Sequence, residues 1–408
     1  MIKKILFILA IAALSYAASD SLLKPINDLG YGTWAVRLQS VSMHRGYEGV
    51  GGAANVGDGH STTLGAKIDY LSPEIAYLSG GFSYIYVEPI FDGGGRYGGD
   101  NNGKLLLSNG RVDVLNEFWF KYRLGALGLT NTFVKAGRQV VNGEVFCSDE
   151  FRQKPRSLEA ALLTIKDIPG VSLTLGHAER LSNWLDDQDK WRFKDIEDTL
   201  GAKYNTRGVD WVEAVYTGIT NLEVAVYDAY AHDIANIAGS RVKYTLTDTT
   251  ALNGYYRHES DVGKGAERES DMYGLSVQQK VSDVTLEPGV LSIRGDNLLF
   301  QETTTGINHP LGSSMMIYSS QFNGESDTAY LKASTKIGKT GLYALYNYTW
   351  QEHSKTAYDG QELNFVIKQP IGDRLTVSLK VGAGYRDGKN AGDDTFATDT
   401  RLFVTYNF

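Results

Sequence analysis

Between Val140 and Arg156 the sequence places acids ahead of bases: Glu144, Asp149 and Glu150, then Arg152, Lys154 and Arg156. Carboxylates and cations opposed across a narrow passage create a transverse field, which orients a zwitterion and selects by charge. The same residues on an exposed loop would simply be solvated, and the spacing leaves both readings open. No catalytic pattern competes for them. The chain has no G-x-S-x-G, H-E-x-x-H, phosphate-binding loop or paired-cysteine spacing. Catalytic residues, cofactors and metal ligands are therefore not expected. The seven histidines (44, 60, 177, 232, 258, 309 and 353) are scattered, and Cys147 has no base beside it in sequence. Acidic runs at 183–189 and 391–399 could hold Ca²⁺ through oxygen ligands, though such runs are more commonly solvated turns or contacts to ions that bridge lipopolysaccharide.

A second set of charges recurs at every other residue. Successive side chains of a strand point to opposite faces, and the segments "TWAVRLQSV", "TLGAKIDYL", "NEFWFKYRL", "NLEVAVYDAY", "YLKASTKI" and "RLTVSLKVGAGY" alternate apolar with polar. With the apolar set on one face, the other face receives Arg37, Lys67, Lys121, Arg241, Lys243, Arg257, Lys332, Lys368, Lys380, Arg386 and Arg401, with Lys280 and Lys336 in the same register. Asp69, Glu117 and Glu362 are the clearest acids there. The remaining carboxylates are expected in loops.

These elements need a setting. Lys3 and Lys4 precede the apolar run Ile5 to Leu14 and the small residues of "SYAAS", the pattern of a secretory signal peptide. Residues 1–18 are read as that signal and 19–408 as a single exported unit. Loss of the two lysines takes the formal charge from −8 to −10, which argues against a nucleic-acid or anionic-lipid partner. No later run approaches the roughly 20 apolar residues of a spanning helix, yet the chain holds 25 Tyr, 45 Gly and only 8 Pro. An exported chain of this kind suggests a sheet wet on one face and buried on the other.

The connections favour a membrane barrel over a soluble sandwich. Short turns (166–170, 218–221, 281–283, 338–341 and 370–373) alternate with long Gly/Asp/Asn-rich stretches (44–60, 89–111, 140–156, 181–208 and 296–327). Brief turns at one end and long loops at the other are what an outer-membrane barrel shows. The expected fold is an all-β transmembrane antiparallel barrel of about eighteen strands, with "TLGAKYNTR" from Thr199 left in a loop. The terminal "RLFVTYNF" supplies the last strand, its aromatic rings at the membrane interface and its backbone closing against the first strand near Trp34 to Val41, so that no edge faces lipid.

Gly137-Arg138-Gln139 followed by Arg152-x-x-Pro155-x-Ser157 resembles the porin D family of outer membranes, substrate-specific channels for small carboxylates and basic amino acids. The family segment reads Arg-x-x-Pro-x-Thr-Phe, and here Ser157, Leu158 and Glu159 depart from its usual residues. The resemblance implies a third external loop folded into the barrel, with Glu144, Asp149, Glu150, Arg152, Lys154 and Arg156 at the constriction, and a basic ladder along the wall. The terminal Tyr406-Asn407-Phe408 resembles the signal read by barrel-assembly machinery. The resulting expectation is a bacterial outer-membrane channel giving passive, charge-selective diffusion of small hydrophilic solutes. It would sit among lipopolysaccharide and outer-membrane lipid as a monomer or homotrimer. A structural or adhesive surface barrel and, less favoured, an outer-membrane enzyme barrel are the alternatives.

Overall fold

Alternation along the chain becomes one closed sheet. The structure, a computed structural model, describes residues 23–49, 57–93, 112–148, 153–183, 192–200, 206–299, 322–351, 358–388 and 394–408. In chain order the strands are β1 (Thr33–Gly49), β2 (Gly57–Leu71), β3 (Leu78–Gly93), β4 (Val112–Arg123), β5 (Phe133–Gln139), β6 (Ser157–Ile165) and β7 (Val171–Ser182). A two-residue β8 (Lys194–Asp195) follows, then β9 (Val209–Ile219), β10 (Leu222–Ala231), β11 (Ala235–Thr247), β12 (Thr250–Asp261) and β13 (Glu269–Val281). The set ends with β14 (Val284–Gly295), β15 (Ser326–Ile337), β16 (Thr340–Gln351), β17 (Tyr358–Ile371), β18 (Leu375–Gly388) and β19 (Thr395–Asn407).

β8 pairs only with the end of β7. Each of the other eighteen pairs antiparallel with its sequence neighbours, β7 pairs directly with β9, and β19 pairs with β1. Arg37 lies opposite Asn407 and Val41 opposite Phe403, so the ring is closed and none of its eighteen strands is left with an unpaired edge. The loop reading of Thr199 onward holds in part: Ile196–Leu200 is a one-turn helix, and residues 201–205 lie outside the described set.

The two ends differ. At one, connections are short: Asn221 and Ser282 take the positive φ of tight turns, and β11 meets β12 across two residues. The 140–156 connection has the expected bounds, whereas β1, β2 and β3 extend further than expected into the 44–60 and 89–111 stretches. Parity of loop length has an exception, because residues 232–234 alone join β10 to β11 at the long-loop end.

The outer face is oily. Phe120, Leu275, Val290 and Leu363 are each more than half exposed, on a scale that a water-soluble chain would bury. No helix among the described residues is long and apolar enough to cross a membrane. Near the short-turn end, Trp34, Tyr70 and Phe82 stack within 6 Å of one another. Tyr406 and Phe408 meet edge to face at 4.8 Å. Apolar packing on the opposite face is confined to patches: Val145, Phe146, Leu158, Trp211 and Ile237 form one, and Met272, Ile293, Leu298, Phe322 and Leu345 another.

Candidate functional site: a charged inner wall

Cross-strand register puts the basic residues of the alternating set on one face of the sheet. Arg37 faces Lys67, Lys380 faces both Val366 and Arg401, and Lys243 faces Asn253, all with the parity opposite to the exposed apolar residues. Cross-strand neighbours share a face, so one inner surface collects Arg37, Lys67, Lys121, Arg241, Lys243, Arg257, Lys332, Lys368, Lys380, Arg386 and Arg401. The structure differs over the acids. Glu213, Glu223, Glu259, Glu287 and Asp399 share the inner parity, so the wall is much less one-sided in charge than the sequence reading has it.

Three of these acids pair with inner arginines. Arg241 is gripped by Glu144 (Nη2 to Oε1 2.6 Å, Nε to both oxygens 3.2 Å) and by Glu223 at 2.7 Å. Arg257 Nε donates to Glu259 at 3.0 Å, and Arg268 reaches the other oxygen of that carboxylate at 3.3 Å. Asp399 accepts Arg401 Nε at 2.9 Å and Arg45 Nε at 2.7 Å. The Arg257 and Glu259 side chains are 1% and 0% exposed, and charges so far from water persist only when paired. Lys67 pairs with Asp69 and Lys332 with Glu287, each at 3.3 Å.

Four lysines lie over aromatic rings. Lys121 Nζ sits 4.4 Å from the Phe133 ring centre and Lys135 Nζ 4.2 Å from that of Trp119. Lys332 lies over Tyr330 and Lys380 over Phe403, both at 5.3 Å. An ammonium over a ring face keeps its charge available to an anion while its stem covers apolar surface. Lys121 and Lys135 are direct cross-strand partners. Lys135 was not among the expected residues, although its i+2 relation to Phe133 on a short strand carries the signal.

The segment between β5 and β6 touches widely separated parts of the wall. Gln153 Nε2 donates to the Gln39 carbonyl at 2.7 Å, Thr63 donates to its Oε1, and Arg37 reaches its carbonyl at 3.3 Å. Those partners stand on β1 and β2. Toward its other end, the amides of Glu144 and Val145 donate to Glu213 at 2.8 and 3.3 Å, and Glu144 holds Arg241 on β11. Gly143 makes that approach possible, since a Cβ there would collide with the Glu213 carboxylate. Phe146 meets Trp211 edge to face at 5.0 Å.

Of the six loop charges, Glu144 is placed against the wall as described. Lys154 and Arg156 are not turned toward open space as the transverse-field reading requires. Lys154 Nζ is fully buried and donates to the carbonyls of Pro155, Ser182 and Asn183 at 2.9, 3.2 and 2.8 Å. Arg156 Nε donates to Asn183 Oδ1 at 2.7 Å. A buried ammonium is stable only with its donors satisfied, so these two stitch the segment to β7. Asp149, Glu150 and Arg152 lie outside the described residues.

One group could ligate a metal. The ligating atoms of His258, Glu269 and Asp271 all lie within 4.8 Å of one another on the outer face. Asp271 already accepts from Tyr256 at 2.9 Å and lies 3.1 Å from His258, so two of the three are engaged with each other.

A closed eighteen-strand barrel, oily outside and charged within, defines an outer-membrane channel. A family model described as outer membrane porin, OprD family, matches residues 99–407. The chain belongs to the OprD family of bacterial outer-membrane porins, a family of channels rather than enzymes. Among solved structures, a BenF-like porin from Pseudomonas fluorescens Pf-5 superposes with a TM-score of 0.74 at 16% identity, covering 92% of this chain and 98% of that one. OpdK of Pseudomonas aeruginosa with vanillate gives 0.71 at 14% identity over 92% and 98%. OccAB4 of Acinetobacter baumannii gives 0.71 at 15% over 92% and 97%. No curated protein matches the sequence.

Proposed function

We propose that this chain gives passive, anion-favouring diffusion of small carboxylates across the outer membrane. The observation that carries this reading is on the inner wall: Arg241, Arg257 and Arg401 are each paired with acids, while Lys121, Lys135 and Lys380 sit on aromatic rings. A carboxylate passing Lys121 and Lys135 meets charge and ring surface together, which suits an organic acid with an apolar body. Each such contact is weak in water, about 1 kcal/mol for a charge pair at 4 Å, so a solute is held briefly and leaves. The vanillate in the OpdK structure is an aromatic carboxylate and supports the same class here.

In this reading the 140–156 segment narrows the passage, anchored at Gln153 to β1 and β2 and at Glu144 to β11. The field across it then runs between the acid-rich cluster of Glu144, Glu213 and Glu223 around Arg241 and the cations Arg37 and Lys67 on β1 and β2, rather than from loop bases. Residues 1–18 direct export and are removed, and Tyr406-Asn407-Phe408 presents the assembly signal. Each protomer holds a whole pore, so either monomers or trimers can conduct. Liposome swelling with benzoate, acetate, arginine and sugars of matched size tests the proposal. Carboxylates should permeate fastest; equal rates for neutral sugars and carboxylates would overturn it.

A further inference from the structure

Charge is distributed unevenly along the pore axis. The paired arginines Arg241, Arg257 and Arg401 lie in the middle or upper parts of their strands. Lys280, Lys336 and Lys368 lie one to three residues from the short turns that end β13, β15 and β17. All three are exposed and on the inner parity, and none makes an ion pair among the described residues. Short turns mark the periplasmic end of an outer-membrane barrel, so these ammoniums ring one side of the periplasmic mouth.

Their arrangement is that of a site. Lys336 and Lys368 are both cross-strand partners of Gly341, on the strand between them. With strands about 4.8 Å apart, the two backbones are separated by roughly 10 Å. Gly341 leaves the floor between them open: a Cβ added there would have one neighbour within 4 Å, the Lys368 carbonyl oxygen at 3.9 Å. Lys280 faces Thr285, which in turn faces Ser334, two residues from Lys336. The nearest inner acid, Glu287, is occupied by Lys332 and by Ser276. Asp283 and Asp373 stand in the turns beyond the strands.

We propose that Lys280, Lys336 and Lys368 bind small polyvalent anions, those with two or three carboxylates or phosphates, at the periplasmic mouth. The proposal rests on the reading of the barrel as an open channel, which it deepens. Three uncompensated cations about a Debye length apart act together on a multiply charged anion, whereas a monovalent carboxylate engages one at a time and passes. A polyvalent anion arriving from the periplasm therefore lodges and obstructs the pore. One arriving from outside first meets the narrower, charge-balanced region.

The test uses the full-length protein in planar bilayers, with citrate added to one side and then the other and acetate as the monovalent control. Citrate should block from one side only, acetate from neither. The triple variant K280Q/K336Q/K368Q should weaken citrate block by about tenfold or more, read as the blocked fraction of each protein's own KCl current. Gly341→Glu, which sets a carboxylate between two of the lysines and leaves them in place, should do the same. Equal block from both sides, or block unchanged in both variants, overturns the site. Calorimetry of citrate on detergent-solubilised protein separates the two readings: binding lost in the variants upholds the site even in a barrel that fails to conduct, and no binding to the wild type overturns it.

Discussion

Replacing Glu144 with Gln should loosen the inward segment and raise anion preference together. Glu144 contributes a two-oxygen grip on Arg241, at 2.6 and 3.2 Å, between side chains only 11% and 20% exposed. Removing one partner of a fully buried pair costs about 3–5 kcal/mol. Here Gln keeps one acceptor, and Arg241 keeps Glu223 at 2.7 Å, so the expected loss is smaller, about 1–3 kcal/mol. The amides of Glu144 and Val145 still donate to Glu213, which holds the backbone near its place. The barrel itself should therefore assemble normally, while the segment samples positions away from β11. In single-channel records this reads as added current noise and a larger mean conductance. In a salt gradient the reversal potential should shift toward anions, because a negative charge has left the inner wall. The shift should be clear at 0.1 M salt, where screening extends over about 10 Å, and shrink at 1 M, where it is about 3 Å. Conductance, noise and selectivity all matching the wild type would refute both the anchoring of the segment and its place in the field.

Other perturbations separate wall from lipid face and turn from turn. Lys121→Gln with Lys135→Gln should slow benzoate uptake by liposomes several-fold and leave sugar uptake unchanged; an equal slowing of both would count against the lysine seats. Leu275→Arg puts a cation on the lipid face at a cost of about 2–4 kcal/mol near mid-bilayer, so its urea midpoint in lipid should fall well below that of Ser276→Arg on the inner face, and equal midpoints would contradict the register. At the short-turn end, Asp167 links two turns through Thr132 Oγ1 at 2.6 Å and the Asn131 amide at 3.0 Å. The Thr132 hydroxyl, with Asn131, holds this carboxyl below its ordinary value. A depressed carboxyl adds stability above its unfolded value, near 3.9, and loses it as pH falls through the folded value. Asp167→Asn should thus melt earlier than wild type at pH 7, with the gap closing as the pH falls through the carboxyl's lowered folded value; a gap independent of pH would exclude the carboxylate as its source.

The barrel was legible because lipid enforces period two strictly. A cation placed on the wrong face is costly, so Arg37, Lys67, Arg257 and Arg401 disclose the wet side one strand at a time. The closing of β19 on β1 follows from the same patterning at the chain's end. What the pattern hides is compensation. Arg257-x-Glu259 and Asp399-x-Arg401 put opposite charges two residues apart on one face, yet a reading that finds only Asp69, Glu117 and Glu362 among the inner acids makes the wall look more basic than it is. The loop misleads for a related reason. Lys154 and Arg156 are charged in sequence, but whether a charge meets solute or main-chain carbonyls depends on how the segment lies against β7, a long-range matter that spacing does not encode. Gln153, an uncharged residue among charges, joins the segment to β1 and β2 and gave no local sign of it.

The account turns on the lysine-lined wall conducting anions. The reversal potential of the purified wild-type protein in a planar bilayer, under a tenfold KCl gradient at low ionic strength, measures this directly. A potential displaced toward the chloride equilibrium value agrees with it, and a potential displaced toward the potassium value, or a membrane that stays silent with folded protein inserted, contradicts it.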